Sequence, residues 1–375
     1  MKSDDAEKSN ISPVEDIVAD LAAGRMVILM DDEDRENEGD IVVAAEKTTA
    51  EHVNFMLKHA RGLICLPMTE KRLDELGLRM MVADNTAPLG TAFTVSIDAR
   101  ECAAEGVTAG ARSTTIRKSV APGSDAGDFV VPGHVFPLRA REGGVLVRTG
   151  QTEGAVDLCR MAGLSPAGVI CEILNADGTM ARYPELVTFA REHELKIGTV
   201  ADIIQYRLQN ESLVSRVSTA RLPTRFGGEF TAHVYKSEVD EGEHLVLVKG
   251  TVDPETPVLL RAHTEYPPGD VFGYTRRNTG GVLHAAMKRI EQEGSGVILY
   301  VRRHGRGAEM LAGEGSDRPA STNPNSRLAV FKDFGLGAQI LRDLGVCKIR
   351  LLTNTPLRLP NISGYGLEVV EVVPI

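Results

Sequence analysis

The chain has 375 residues, too many for one ordinary hydrophobic core, so two domains are expected. Its 42% hydrophobic and 25% charged residues exclude global disorder, and no apolar run approaches the roughly 20 residues needed to cross a bilayer. A formal net charge of -10 gives no basic excess for nonspecific nucleic-acid binding, so an anionic ligand must be caught by a local basic pocket.

The opening "MKSDDAEKSN" is acidic and polar, unlike a signal peptide, so a cytoplasmic protein without a membrane partner is expected. "SPVEDIVADLAAG" predicts a helix with Ser12 as N-cap, Glu15 closing a capping box and Gly24 as the stop. Strands follow in "RMVILM" and "DIVVAAE", either side of the acidic stretch "DDEDRENEGD". A helix is expected in "TAEHVNFMLKHA", a buried strand in "GLICLPM", a helix through "EKRLDELG" and a strand in "TAFTVSIDA". The polar stretch around Gly106 to Ser124 has no assignable period. After "VPGHVFPLRA", "GGVLVRTGQTEGAVDLCRMAGL" reads as strand, tight turn and helix, and "AGVICEIL" as a strand. Helices in "PELVTFAREHE" and "TVADIIQYRLQ" end an α/β layered domain near residue 208, with a boundary at about Gln209.

The second segment restarts with strands in "EFTAHVYKS", "HLVLVKGTV" and "PVLLRAHTE". The helix "GVLHAAMKRIEQEG" and the strand "GVILYVRR" come next, then a Gly/Pro/Ser/Asn-rich loop from Gly305 to Arg327, the helix "LGAQILRDLG" and the strand "KIRLLTN". Cys65, Cys102, Cys159, Cys171 and Cys347 are widely spaced with no CxxC pair, which fits reduced thiols rather than a disulfide framework or a cysteine zinc site.

Chemistry could sit in three places. Asp32, Asp34, Glu36, Glu38 and Asp40 recur at every second residue, so an extended segment would line them on one face. Repulsion there must be met by a cation, an arginine or a proton. A solvated loop explains the same letters. "RTGQTEG", Arg148 to Gly154, could cradle a phosphate on helix N-terminal N–H groups, the Thr149 and Thr152 hydroxyls and Arg148; a plain turn with an N-cap threonine is the alternative. Glu172, inside an apolar strand, needs a partner. His134 between two prolines and Cys65 in a buried strand are open to either a structural or a functional reading.

Taken together, "DDEDRENEGD", "GLICLPM", "FTVSID", "GVTAG", "PGHVFPLRA", "GGVLVRTGQTE" and "PAGVICEILNADGTMAR" resemble the 3,4-dihydroxy-2-butanone 4-phosphate synthase family over residues 12–208. The resemblance implies an α/β sandwich, a homodimer, and conversion of ribulose 5-phosphate to 3,4-dihydroxy-2-butanone 4-phosphate and formate with Mg2+ or Mn2+. It implies Glu36 as metal ligand and Arg35 and Asp40 as sugar-binding residues. Arg148, Thr149, Gly150, Gln151 and Thr152 would bind substrate and phosphate, with Cys65, His134 and Glu172 completing the pocket. Three departures touch this expected site: Gln151 stands where the family has a metal-binding histidine, "GVTAGARSTT" is about four residues short with Ala111 in place of an aspartate, and Val131 replaces an arginine.

Residues 210–375 resemble GTP cyclohydrolase II through "LLRAHTEYPPGDVFG", "GVILYVRRHGRG", "GLGAQILRDLGV" and "IRLLTN", which implies a second α/β domain. That family holds zinc on three cysteines, and the corresponding positions here are Tyr266, Arg277 and Thr279. The segment between Gly307 and Phe334, where the family's acid-base aspartate and nucleophilic arginine are expected, does not match either. The expectation is therefore an active synthase without zinc or cyclohydrolase activity. The alternatives are a catalytically impaired paralogue that binds a phosphosugar or a partner enzyme, or an enzyme acting on a related phosphosugar.

Overall fold

The computed structural model describes residues 10–32, 35–239, 242–302, 335–354 and 365–375. Asp34, the Gly305 to Arg327 loop and the Gly307 to Phe334 segment singled out in the sequence lie outside the described residues. The chain divides into two units, Met1–Tyr206 and Arg207–Ile375. No described helix is long and apolar enough to cross a membrane.

The first unit is built on a seven-stranded mixed sheet. Its strands are β1 (Val27–Met30), β2 (Gly39–Ala44), β3 (Cys65–Thr69), β4 (Ile97–Ala99), β5 (Phe129–Ala140), β6 (Gly168–Glu172) and β7 (Ile197–Thr199), in the order β4-β5-β3-β6-β2-β1-β7. β1 and β2 are buried at every residue, as are four of the five residues of β3 and of β6, so the middle of the sheet is covered on both faces. The core joins Ile28, Ile41, Val43, Leu66, Val135 and Val169 of the sheet to Val53, Ile116 and Leu186 of surrounding helices. The helix Gln151–Met161 is buried through its first nine residues. Small residues let it lie close: a Cβ on Gly154 would sit 2.6 Å from Leu29 Cδ2, and one on Gly168 would sit 2.9 Å from Ala155 Cβ.

Three local expectations are corrected. The first helix is Val14–Ala22 with Pro13 as N-cap and no side-chain cap, because the chain before it is extended and Ser12 N donates to Ile197 O at 2.8 Å. Gly24, at φ +80°, does stop it. "GGVLV" is a 3-10 turn, Gly144–Leu146, not a strand: Gly143 and Gly144 have φ of +86° and +64°, and Val145 N donates to the buried Asp157 carboxylate. The unassigned stretch after Gly106 contains the helix Ala109–Val120, capped by the Thr108 hydroxyl, which accepts from Ala111 N.

The second unit carries its own seven-stranded sheet, β14-β13-β11-β12-β10-β9-β8. The strands are β8 (Val214–Thr224), β9 (Gly228–Ser237), β10 (Glu243–Lys249), β11 (Val258–Thr264), β12 (Gly296–Val301), β13 (Lys348–Leu352) and β14 (Glu368–Val373). Phe230, Leu259, Ile298 and Leu352 of the sheet pack with Ala286, Met287 and Ile290 of the helix Thr279–Glu293 as a separate core.

Candidate active site

The described part of the acidic stretch turns back at residues 35–38 rather than running extended, which corrects the one-face arrangement expected for Glu36 and Glu38. Asn37 takes φ +53°, and Arg35 N and Asn37 N both donate to Asp32 O. The organiser is Asp31, at the end of β1. Its buried carboxylate accepts from Glu36 N (3.1 Å), Glu38 N (2.9 Å) and Arg35 Nη1 (2.7 Å). From outside, Arg182 donates to the carbonyls of Glu36 (2.6 Å) and Asn37.

Arg35 is the hinge of the site. Its guanidinium, 8% exposed, turns one nitrogen onto Asp31 Oδ2, Glu36 Oε2 and, 116 residues away, Gln151 Oε1 at 2.9 Å. The acidic loop is thereby joined to the turn that opens the Gln151–Met161 helix. The N-cap of that helix is Gly150, with no side-chain cap, so the N-cap threonine reading does not hold. A Cβ on Gly150 would fall 2.6 Å from Arg148 Nη1 and 3.0 Å from Arg35 Nη2, so glycine is what lets two guanidiniums converge on the helix N-terminus. Arg148 is held there by the buried Glu153 carboxylate at 2.7 Å. Thr152 and Gln151 are buried at this turn, and Thr149 is half-buried beside them.

Deeper in the sheet, register places Asp40 of β2 directly opposite Glu172 of β6. Asp40 is 3% exposed and its Oδ1 is buried without a hydrogen-bond partner. Burial, and then the Glu172 charge across the strand pair, hold its carboxyl well above the usual carboxylate range. Glu38 is raised to about 7, by burial first and the neighbouring Glu36 charge second. Glu172 is half-buried and accepts from Leu63 N at 2.8 Å; Gly62 permits the approach, since a Cβ there would fall 2.5 Å from Glu172 Oε2. Cys65 on β3 is buried; desolvation and then Glu172 push its thiol up, so it stays protonated rather than acting as a thiolate. All five cysteines are free.

His134 is tied to a different partner, Asp98 on β4, whose oxygens meet His134 N at 2.9 Å and Nδ1 at 2.7 Å. Sequence reading missed Asp31, Asp98 and Arg182. Asp31 was visible only as one more acidic letter, and the other two act on residues 36 and about 146 positions away.

Among the described residues no group of three or more His, Cys, Asp or Glu side chains is arranged to hold a metal. Two oxygens, Glu36 Oε2 and Gln151 Oε1, nevertheless already converge on one positive nitrogen. Two protein oxygens with remaining positions left to water and substrate suit a hard divalent cation such as Mg2+. The second unit differs. Tyr266, Arg277 and Thr279 do come together, with the Arg277 guanidinium 4.4 Å over the Tyr266 ring and Thr279 N donating to Arg277 O. A phenol, a guanidinium and a hydroxyl do not fit zinc. Beside them Asp270 receives His263 Nε2, Tyr266 N and Tyr300 OH.

Paired carboxylates on adjacent strands, together with two arginines at a helix N-terminus joined to an acidic loop, are the parts of an enzyme site for an anionic small molecule. The chain belongs to the 3,4-dihydroxy-2-butanone 4-phosphate synthase family, which residues 15–206 match, while residues 215–374 match GTP cyclohydrolase II. Riboflavin biosynthesis protein RibBA of Bacillus cereus strain AH187 is 48% identical over 96% of this chain and 93% of that protein, and RibBA of Aquifex aeolicus strain VF5 is 48% identical over 98% and 93%. Among solved structures, RibBX of A. baumannii, a two-domain 3,4-dihydroxy-2-butanone 4-phosphate synthase, is 41% identical with a TM-score of 0.79 over 97% of this chain and 99% of that one. A synthase solved with two magnesium ions is 41% identical with a TM-score of 0.52 over 54% of this chain and 99% of that one. The first unit is thus a synthase domain of riboflavin biosynthesis.

Proposed function

We propose that residues 12–208 convert D-ribulose 5-phosphate to 3,4-dihydroxy-2-butanone 4-phosphate and formate in this pocket, assisted by Mg2+ or Mn2+ held on Glu36 and Gln151. The observation that carries the reading is the Arg35 nitrogen shared by Asp31, Glu36 and Gln151, because it brings the acidic loop and the phosphate turn into one site. Arg148, the N–H groups at Gln151 and Thr152 and Arg35 receive the phosphate. A bound divalent cation supplies polarisation of the sugar oxygens. Asp40, its carboxyl raised by burial and by the Glu172 charge, and Glu38, near 7, move protons between carbon and oxygen; Glu38 is poised for transfer at neutral pH. Cys65 closes the pocket as a neutral thiol, and His134 provides a further proton-handling group.

Residues 210–375 act without zinc and without cyclohydrolase turnover, since Tyr266, Arg277 and Thr279 offer a phenol, a guanidinium and a hydroxyl where thiolates would be needed. We place the protein in the cytoplasm as a homodimer.

The test is to supply purified protein with ribulose 5-phosphate and Mg2+ and measure formate. Turnover is expected, and Glu36→Ala should abolish it; turnover surviving in that variant would remove Glu36 as metal ligand, and no formate with either Mg2+ or Mn2+ would remove the synthase assignment. Zinc analysis of the same sample is expected to find no stoichiometric metal, and sedimentation a mass of two chains.

A further inference from the structure

We propose that Asp98 is a positioning residue that fixes the tautomer of His134, so that Nε2 meets the substrate as a proton acceptor; this rests on the synthase reading above. Asp98 is 3% exposed, and a carboxylate in such a place is costly unless its oxygens are engaged. Both are engaged by His134, one by the backbone N–H and the other by Nδ1. A carboxylate only accepts, so Nδ1 carries the proton of the neutral ring, and in that form Nε2 keeps its lone pair.

The backbone is shaped for this contact. Ile97 pairs with Val135 but Asp98 pairs with Val130, so residues 131–134 bulge out of β5 and return His134 to the side of Asp98. Gly133 N donates to Ser96 Oγ at 3.1 Å, and a Cβ on Gly133 would meet Ile97 C at 2.0 Å, so the bulge is pressed onto the neighbouring strand. Gly106, at φ +33°, backs the ring: a Cβ there would sit 2.6 Å from Cε1 and 2.7 Å from Nδ1. The imidazole is fixed along one edge while its side chain stays 51% exposed. A histidine needed only for packing gains nothing from such exposure. A buried aspartate that orients an accessible imidazole is the division of labour in the serine-protease triad.

Selective 15N labelling of histidine at pH 8, with His134→Gln to assign the signal, reads the tautomer directly. The wild type should carry its proton on Nδ1. Asp98→Asn keeps the shape and the backbone hydrogen bond but presents an amide to Nδ1; it should move the proton to Nε2 and lower kcat about 100-fold, with KM within about twofold. A wild-type Nε2–H tautomer, or Asp98→Asn with unchanged kcat, would overturn the proposal, and so would a fall in kcat without a tautomer change. If Asp98→Asn does not fold, the wild-type spectrum still decides the tautomer. No formate from the wild type would instead overturn the synthase reading, and the ring spectrum would separately decide whether Asp98 sets His134.

Discussion

At the scale of single residues, the site depends on side chains that never meet the substrate. Asp31 has a fully buried side chain and satisfies two loop amides and a guanidinium at once. Asp31→Ala should therefore cost about 3 kcal/mol, because it leaves two amides without an acceptor and Arg35 with one fewer counter-charge. Urea denaturation midpoints measure this, and formate release should fall in parallel as Glu36 loses its fixed position. An unchanged midpoint would mean the loop is held from Arg182 alone. Gln151 belongs to the same argument. Its amide oxygen accepts from Arg35 and is chemically suited to a hard cation, but an amide does not shuttle a proton at neutral pH.

At the scale of elements, the helix Ala109–Val120 carries its own prediction. Its cap is one hydroxyl, so Thr108→Ala should lower stability by about 1 kcal/mol, while Thr108→Ser should retain most of it. Thermal unfolding of the two variants distinguishes them. The same helix shows why part of the fold was illegible. Its buried face is Ala111, Ser113, Thr115, Ile116 and Ser119, so it has no apolar stripe to detect, and it is anchored instead by Thr115 Oγ1 accepting from Ala99 N. The three-residue β7 and the polar β8 escaped for a related reason, since a strand recruited by its neighbours needs little pattern of its own. Where apolar runs were clean, as in "VILM", "IVVA" and "GVICE", sequence and structure agree. In the site, the acidic loop, the Arg148 turn and the unusual Glu172 were legible from residue type. The loop's turn geometry, Asp98 and Arg182 were not, because their meaning lies in contacts that only the folded sheet creates.

At the scale of the whole molecule, the raised carboxyl of Asp40 links the site to stability. In the unfolded chain an aspartate titrates near 4, whereas in the folded protein burial and the Glu172 charge hold the proton on to higher pH. The native state therefore binds more protons through this interval. Its contribution is complete below about pH 4 and is lost as pH rises through the folded value. Asp40→Asn removes that titration, so its melting temperature relative to wild type should rise from about pH 5 to about pH 8. A difference independent of pH would show that Asp40 is ionised throughout. The two units, each with a sheet and a core of its own, also separate the chemistry: carboxylates and arginines converge in the first, while the second answers its expected metal position with a stacked guanidinium.

Arg35 gives that loop one more property. By neutralising Asp31 and Glu36 from within, it serves as their resident counter-ion. The loop's shape is then written into the chain itself rather than borrowed from whatever the pocket binds.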